Sequence, residues 1–197
     1  MQLENRLSAI LNTLADQNAD VIALQEATPE FVEALRRNGW LKPDAGGSTA
    51  PYYVVYCDGF EHGLQCLLSK YPVVNKWFRR FGDVLGQDNT RGVAIAQLSV
   101  GNDIITVASV HLLWRGLGPD GEDDRRMQLV MAIEEMVNDQ TVSVLSGQDR
   151  TVKNAILLGD FNFRDGDPEQ PLLTRMEMKE SLIDIWRELK LRDPGFT

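Results

Sequence analysis

The sequence predicts a mixed α/β domain in which two β-sheets pack face to face with helices outside, and three features of its 197 residues carry that prediction. The chain opens helix, strand, helix. Its middle is a series of short strand-like runs separated by brief turns. Those strands are apolar on both faces, so each needs cover from a second sheet on one side and from helices on the other.

Leu3, Leu7, Ile10, Leu11 and Leu14 recur at helical spacing, which predicts an amphipathic helix closing near Asn18. A buried strand follows over residues 20–25. Thr28-Pro29-Glu30 is a helix start, because the threonine hydroxyl can cap an orphan N–H and proline lacks the N–H that a first turn leaves unpaired. Phe31, Val32 and Leu35 form the buried stripe of that helix until Asn38-Gly39 ends it. Strands are then expected over residues 52–56, 63–68, 73–78, 93–100 and 104–112. Asp58-Gly59, Tyr71-Pro72 and Gly101-Asn102 mark turns, and connections this short favour antiparallel neighbours. A Gly-rich loop over 116–121 precedes a helix over about 123–138, with Leu129, Ile133, Met136 and Val137 on its apolar face. A polar linker, 146–153, leads to a strand over 155–158, and Leu182, Ile185, Trp186 and Leu189 outline a last helix. No internal repeat is visible, so residues 1–197 are expected to form a single domain.

Acidic residues outnumber basic ones 29 to 20, giving a formal net charge of -9, so the bulk field repels a polyanion. A phosphate-bearing partner would therefore need local Arg or Lys contacts, or a divalent cation. Cys57 and Cys66 have no zinc-site spacing and are expected to be buried free thiols in a reducing compartment. The N-terminus shows no basic region followed by an apolar run, and no apolar stretch approaches membrane-spanning length. A cytoplasmic protein without a membrane partner is the expectation.

Candidate chemistry sits where apolar strands run into polar residues. Leu157-Leu158-Gly159-Asp160-Phe161-Asn162 ends in a carboxylate and, two residues on, an amide; residues 21–26 end in Glu26, and residues 104–111 in His111. Each has a plainer reading. Glu26 is a hard-cation ligand or a cap for the next helix's positive end. Asp160 and Asn162 share one side of an extended segment, where one can take a proton and the other hold water, or else they simply make a turn. His111 suits proton transfer or phosphate contact, while a strand histidine is more often a satisfied core residue. His62 lies in a turn and reads as exposed, and Arg125-Arg126 read as a solvated or salt-bridged helix face. Taken together, two oxygen ligands, an amide and an imidazole favour Mg²⁺-assisted phosphoester cleavage, with a metal neutralising a phosphoryl oxygen, Asp160 and Asn162 positioning water, and His111 stabilising developing charge. Neither a Walker-type phosphate loop nor a serine elbow occurs, which excludes the kinase and esterase readings.

Leu24-Gln25-Glu26, Ser109-Val110-His111-Leu112, Arg126-Met127-Gln128-Leu129 and Gly159-Asp160-Phe161-Asn162 resemble, in order and rough spacing, the motifs of the endonuclease/exonuclease/phosphatase family with its DNase I-like fold. The hairpin over residues 63–72 resembles one of that family too. Gly159 to Asp165, Asp184-Ile185-Trp186 and Gly195-Phe196-Thr197 are most similar to the tyrosyl-DNA phosphodiesterase branch, which hydrolyses the bond between tyrosine and a 5′ DNA phosphate. The resemblance implies a four-layer sandwich of two mixed sheets with helices outside. It implies Mg²⁺ or Mn²⁺ held by Glu26, catalysis by Asp160, Asn162 and His111, and substrate contacts from Arg164, Arg115 and Arg126. A phosphoester in nucleic acid, or in a 5′-tyrosyl adduct of DNA, is the implied partner.

The chain departs from the family pattern at three places. It lacks the opening strand that ends in an Asn and the closing Asp-His pair, and Leu113-Trp114 stand where that branch carries small polar residues. Two expectations follow: near-inactivity unless another polypeptide completes the site, and self-association through uncovered sheet edges into a homo-oligomer. Three functions stay open at this point, namely a nucleic-acid phosphodiesterase, a hydrolase of small phosphoesters such as inositol phosphates or sphingomyelin-type head groups, and a non-catalytic binding protein of the same fold.

Overall fold

A computed structural model describes residues 2–41, 50–57, 64–85, 90–114, 118–138, 141–143, 149–151, 154–164, 166–174 and 182–189. The chain runs α1 (Gln2–Gln17), β1 (Val21–Leu24), α2 (Pro29–Arg37), β2 (Tyr53–Tyr56), β3 (Cys66–Ser69), β4 (Val73–Arg80) and α3 (Gly82–Leu85). It continues β5 (Gly92–Val100), β6 (Asp103–His111), α4 (Gly118–Asn138), β7 (Thr141–Ser143), β8 (Asp149–Thr151), β9 (Asn154–Asp160), α5 (Gln170–Thr174) and α6 (Ile185–Leu189). Thr28 caps α2 as its sequence predicts, its Oγ1 accepting the Phe31 N–H at 3.4 Å.

Two sheets result. The first has strand order β1-β3-β2 and is antiparallel throughout. The second has order β4-β5-β6-β9; the β4 to β6 meander is antiparallel and β9 joins β6 in parallel, which makes this sheet mixed. Between the sheets lie Val55 and Leu67 from one and Ala96, Leu98 and Val107 from the other, all buried. On the outer face of the first sheet, Leu11 of α1 and Phe31, Val32 and Leu35 of α2 pack over Ile22 and Leu68. On the outer face of the second, Leu129, Ala132, Ile133 and Met136 of α4 cover Val93, Ile95, Ala108 and Val110. Helix, sheet, sheet, helix is the layered α/β architecture expected from strands apolar on both faces.

Several details correct the sequence reading. Cys57 and Cys66 form a disulfide rather than two free thiols, because antiparallel β2 and β3 bring the end of one strand beside the start of the next. The expectation of a reducing compartment loses that support. Gly118 to Gly121 belong to α4 rather than to a loop, since a proline second in a helix forfeits no hydrogen bond. Part of the expected linker is strand: β8 pairs with β7 in a small antiparallel hairpin. The last helix is described over Ile185–Leu189, with Ile185 and Leu189 exposed, while Leu182, just ahead of it, packs against the core; the Trp186 side chain of that expected stripe lies outside what the structure describes. Residue 63 lies outside the described residues; Leu64 and Gln65 are a turn, and pairing starts at Cys66. No helix among the described residues is long and apolar enough to cross a membrane.

Leu67 is 1% exposed between the two sheets, so Leu67→Ala should cost about 2–5 kcal/mol of stability in a urea titration. Arg37→Ala, on an exposed helix face, should cost less than about 0.5 kcal/mol. Equal shifts for the two variants would contradict the sheet-on-sheet core.

Candidate active site

β6 and β9 run side by side and end together, so their register sets His111 directly beside Asp160. Gly159 makes that approach close. Its φ of +136° is open to glycine, and a Cβ there would collide with the Val110 carbonyl oxygen of the neighbouring strand. Past the strand end the backbone turns tightly: Asp160 Oδ1 accepts the Asn162 N–H at 2.9 Å, and Asn162 Nδ2 donates to the Leu112 carbonyl at 2.9 Å. The Leu112 N–H in turn donates to the Asp160 carbonyl at 2.9 Å. The turn reading of Asp160 and Asn162 is thus met, and the turn leaves Asp160 Oδ2 on the His111 side. Asp160 Oδ2 lies 4.0 Å from His111 Nε2, with the carboxylate side chain 51% exposed and the imidazole 6%.

Glu26 arrives from the other sheet, and a buried polar chain fixes where. Gln25 Nε2 donates to Ser109 Oγ at 3.2 Å, Ser109 Oγ donates to Gln65 Oε1 at 3.0 Å, and Gln65 Nε2 donates to the Gly92 carbonyl at 2.9 Å. Ser109 and Gln65 are fully buried. One residue beyond Glu26, the Ala27 N–H donates to the Leu64 carbonyl at 2.7 Å. The end of β1, the turn before β3, the start of β5 and the end of β6 are therefore one connected unit. The backbone is unusual here as well: Glu26, Leu64 and Asn162 have φ of +56°, +57° and +54°. Left-handed geometry costs a non-glycine residue about 1–2 kcal/mol, so the neighbouring contacts impose it. Glu26 does not cap α2, since Thr28 fills that role, and it is exposed.

Burial holds His111 below its ordinary value of 6.5, and the positive charge of Arg91 pushes the same way, while Asp160 and Glu26 partly offset both. His111 is accordingly neutral at pH 7. Asp160 lies beside that imidazole, Arg91 is bonded to the carbonyl of the next residue, Leu112, and the Glu26 charge reaches it from the other sheet. Arg91 was not among the residues the sequence singled out, and Gln25, Gln65 and Ser109 stood in its family-like segments without a role. Arg91 donates through Nη1 to the Leu112 carbonyl, the same oxygen that Asn162 uses. A sequence signal was present in Arg91-Gly92, because Gly92 opens β5 where a Cβ would strike the Arg79 carbonyl and the Phe78 ring.

The other predicted contacts are placed differently. Arg126 makes a partly exposed ion pair with Asp123 at 3.7 Å on α4. Its neighbour Arg125 points inward, where Nε pairs with buried Glu169 at 2.6 Å. Arg164 is exposed two residues beyond Asn162, its backbone N–H donating to Asp167 Oδ2 at 2.8 Å. Arg115 and His62 lie outside the described residues. Among the described residues there is no cluster of three or more His, Cys, Asp or Glu able to cage a metal. Mg²⁺ does not need one, since it keeps several waters and takes one or two carboxylates. Exposed Glu26 and half-exposed Asp160 beside a neutral imidazole fit that requirement.

Comparison with known proteins supports the same fold. The structure resembles TDP2 of D. rerio complexed with a single-stranded DNA product (TM-score 0.65, 17% identity, covering 98% of this chain and 66% of that one). It also resembles C. elegans TDP2 (TM-score 0.64, 15% identity, 98% and 50% coverage). A third similar structure is sphingomyelinase C from Streptomyces griseocarneus (TM-score 0.54, 22% identity, 85% and 60% coverage). The chain thus spans between half and two thirds of the length of these three proteins. No curated protein matches it. Residues 2–176 match the profile of the Endonuclease/Exonuclease/phosphatase family, and the chain belongs to that family.

Proposed function

We propose that this chain is a divalent-metal-dependent phosphodiesterase acting on nucleic acid, with Glu26, His111, Asp160 and Asn162 as its working residues. The observation that carries the reading is the pairing of His111 with Asp160 across parallel strand ends while Glu26's charge acts on the same imidazole from the other sheet. Glu26 would hold Mg²⁺ or Mn²⁺ with its waters, Asp160 would reach the ion through one of those waters, and the bound ion would neutralise charge on a phosphoryl oxygen.

The chain's own groups divide the remaining work. Asp160 keeps Oδ1 on the Asn162 N–H, which leaves Oδ2 to take a proton from attacking water. Asn162 has its amide nitrogen committed to Leu112, so its carbonyl oxygen is left to orient that water. His111, neutral and nearly buried, offers one N–H to a phosphoryl oxygen as negative charge builds there. Arg91 supplies positive charge in a chain whose net charge is -9. Similarity of fold to a TDP2 bound to single-stranded DNA supports nucleic acid as the substrate class. Likeness to a sphingomyelinase keeps a small phosphoester as the comparison any assay should include.

Hydrolysis of a 5′-phosphotyrosyl oligonucleotide and of sphingomyelin, each with Mg²⁺ and with EDTA, tests the proposal. Turnover of the oligonucleotide, however slow, should exceed that of the lipid and vanish with EDTA. Glu26→Gln and Asp160→Asn should each lower it about a thousandfold or more with the circular dichroism spectrum retained. Glu26→Gln should also weaken Mn²⁺ binding, read by water proton relaxation; unchanged affinity and turnover in that variant would exclude Glu26 as the ligand.

The lowered pKa of His111 makes a second, independent prediction. An unfolded histidine takes up a proton near 6.5, whereas the folded one resists it, so the unfolded state binds more protons between the two values. Stability is full above the unfolded value and is lost as pH falls from there through the folded value. In an NMR titration Arg91→Ala should raise the His111 midpoint and Glu26→Gln should lower it further. Shifts of the opposite sign would show that these charges do not face the imidazole.

A further inference from the structure

Trp114 is 61% exposed, three residues beyond His111, and among the described residues its indole makes no hydrogen bond or ring contact. Its backbone is anything but loose. The Leu112 carbonyl accepts from Asn162 and Arg91, the Leu113 N–H donates to Gln128 Oε1 at 2.9 Å, and the Trp114 carbonyl accepts from Arg125 at 3.4 Å. Arg125 is itself locked by its buried ion pair with Glu169. Three consecutive residues are thus tied to interior groups, and the segment they form carries a large flat apolar ring into solvent beside the candidate catalytic residues. A ring held this way loses little conformational freedom when a ligand covers it.

We infer that Trp114 is a stacking platform for a nucleobase flanking the scissile phosphate, an inference that rests on the phosphodiesterase reading and names how its substrate is held. The charge of the chain favours this source of affinity. At -9 the bulk field opposes a polyanion, so a contact made with the base rather than the phosphate, and tolerant of sequence, offsets what electrostatics withholds. Leu113 and Trp114 would then replace polar phosphate contacts with an apolar base contact.

The test compares a short single-stranded oligonucleotide with an abasic one of equal phosphate number, by fluorescence anisotropy at fixed salt. Asp160→Asn is present in every protein so that the probes survive. Trp114→Ala should weaken binding of the base-bearing probe by about fivefold or more and leave the abasic probe little changed, while Trp114→Phe should retain most of the affinity. Equal losses on both probes, no loss on either, or no binding of the base-bearing probe before substitution would overturn the inference. Mg²⁺-dependent hydrolysis of the base-bearing probe by the chain with Asp160 intact is read separately. If it is absent while base-dependent binding persists, the hydrolase reading fails and Trp114 remains a base-stacking surface with no scissile phosphate beside it; if it is present while binding ignores Trp114, the platform alone fails.

Discussion

The buried hydrogen-bond chain from Gln25 through Ser109 and Gln65 to the Gly92 carbonyl is the constraint on which the site depends. Apolar packing between two sheets is non-directional and would tolerate some sliding of one over the other. A polar chain in a dry interface tolerates far less, because any slip leaves a buried donor or acceptor unpaired at about 1–3 kcal/mol each. The chain meets four separate segments at the end of the sandwich where β1 and β6 stop and β3 and β5 begin. Glu26 follows Gln25 directly, and His111 lies two residues beyond Ser109. Fixing the amide and the hydroxyl therefore fixes the carboxylate and the imidazole that follow them.

Strain and electrostatics act on that frame. Glu26, Leu64 and Asn162 all adopt left-handed backbone next to the polar chain or the Asp160 turn, which is the expected result when surrounding contacts dictate local geometry. The same burial that keeps Ser109 and Gln65 dry keeps His111 neutral, while Asp160 beside it reaches solvent. A buried neutral donor next to an exposed carboxylate is an asymmetry suited to separate roles in one reaction, one group accepting a proton while the other holds developing charge. Arg125 and Glu169 extend the frame to the loop beyond His111.

Much of this was legible in the residues. Apolar periodicity located every strand of both main sheets to within a few positions, and the carboxylate and imidazole singled out at strand ends lie side by side where β6 and β9 stop. What escaped was chemistry decided by tertiary partners. Gln25, Gln65 and Ser109 stand inside the segments that resemble the family, yet nothing local tells that they bond to one another, since a glutamine aimed at another sheet looks like one aimed at water. Arg125 and Arg126 are adjacent, yet one is buried against Glu169 and the other faces solvent, a difference set by helix phase relative to a loop 44 residues away. Cys57 and Cys66 carry no spacing signal for pairing; only the antiparallel register of β2 and β3 brings them together. The β7 and β8 hairpin is polar and three residues per strand, too short for alternation to show.

The central claim is that Glu26 from one sheet and Asp160 from the other meet over a single cation. A crystal soaked in Mn²⁺ and measured at the manganese edge tests it most directly. One anomalous peak should lie about 2.1 Å from a Glu26 carboxylate oxygen, with Asp160 bound to the same ion directly or through one of its waters. A peak held by Glu26 with Asp160 beyond the reach of that hydration shell, or a peak elsewhere in the molecule, would contradict the account.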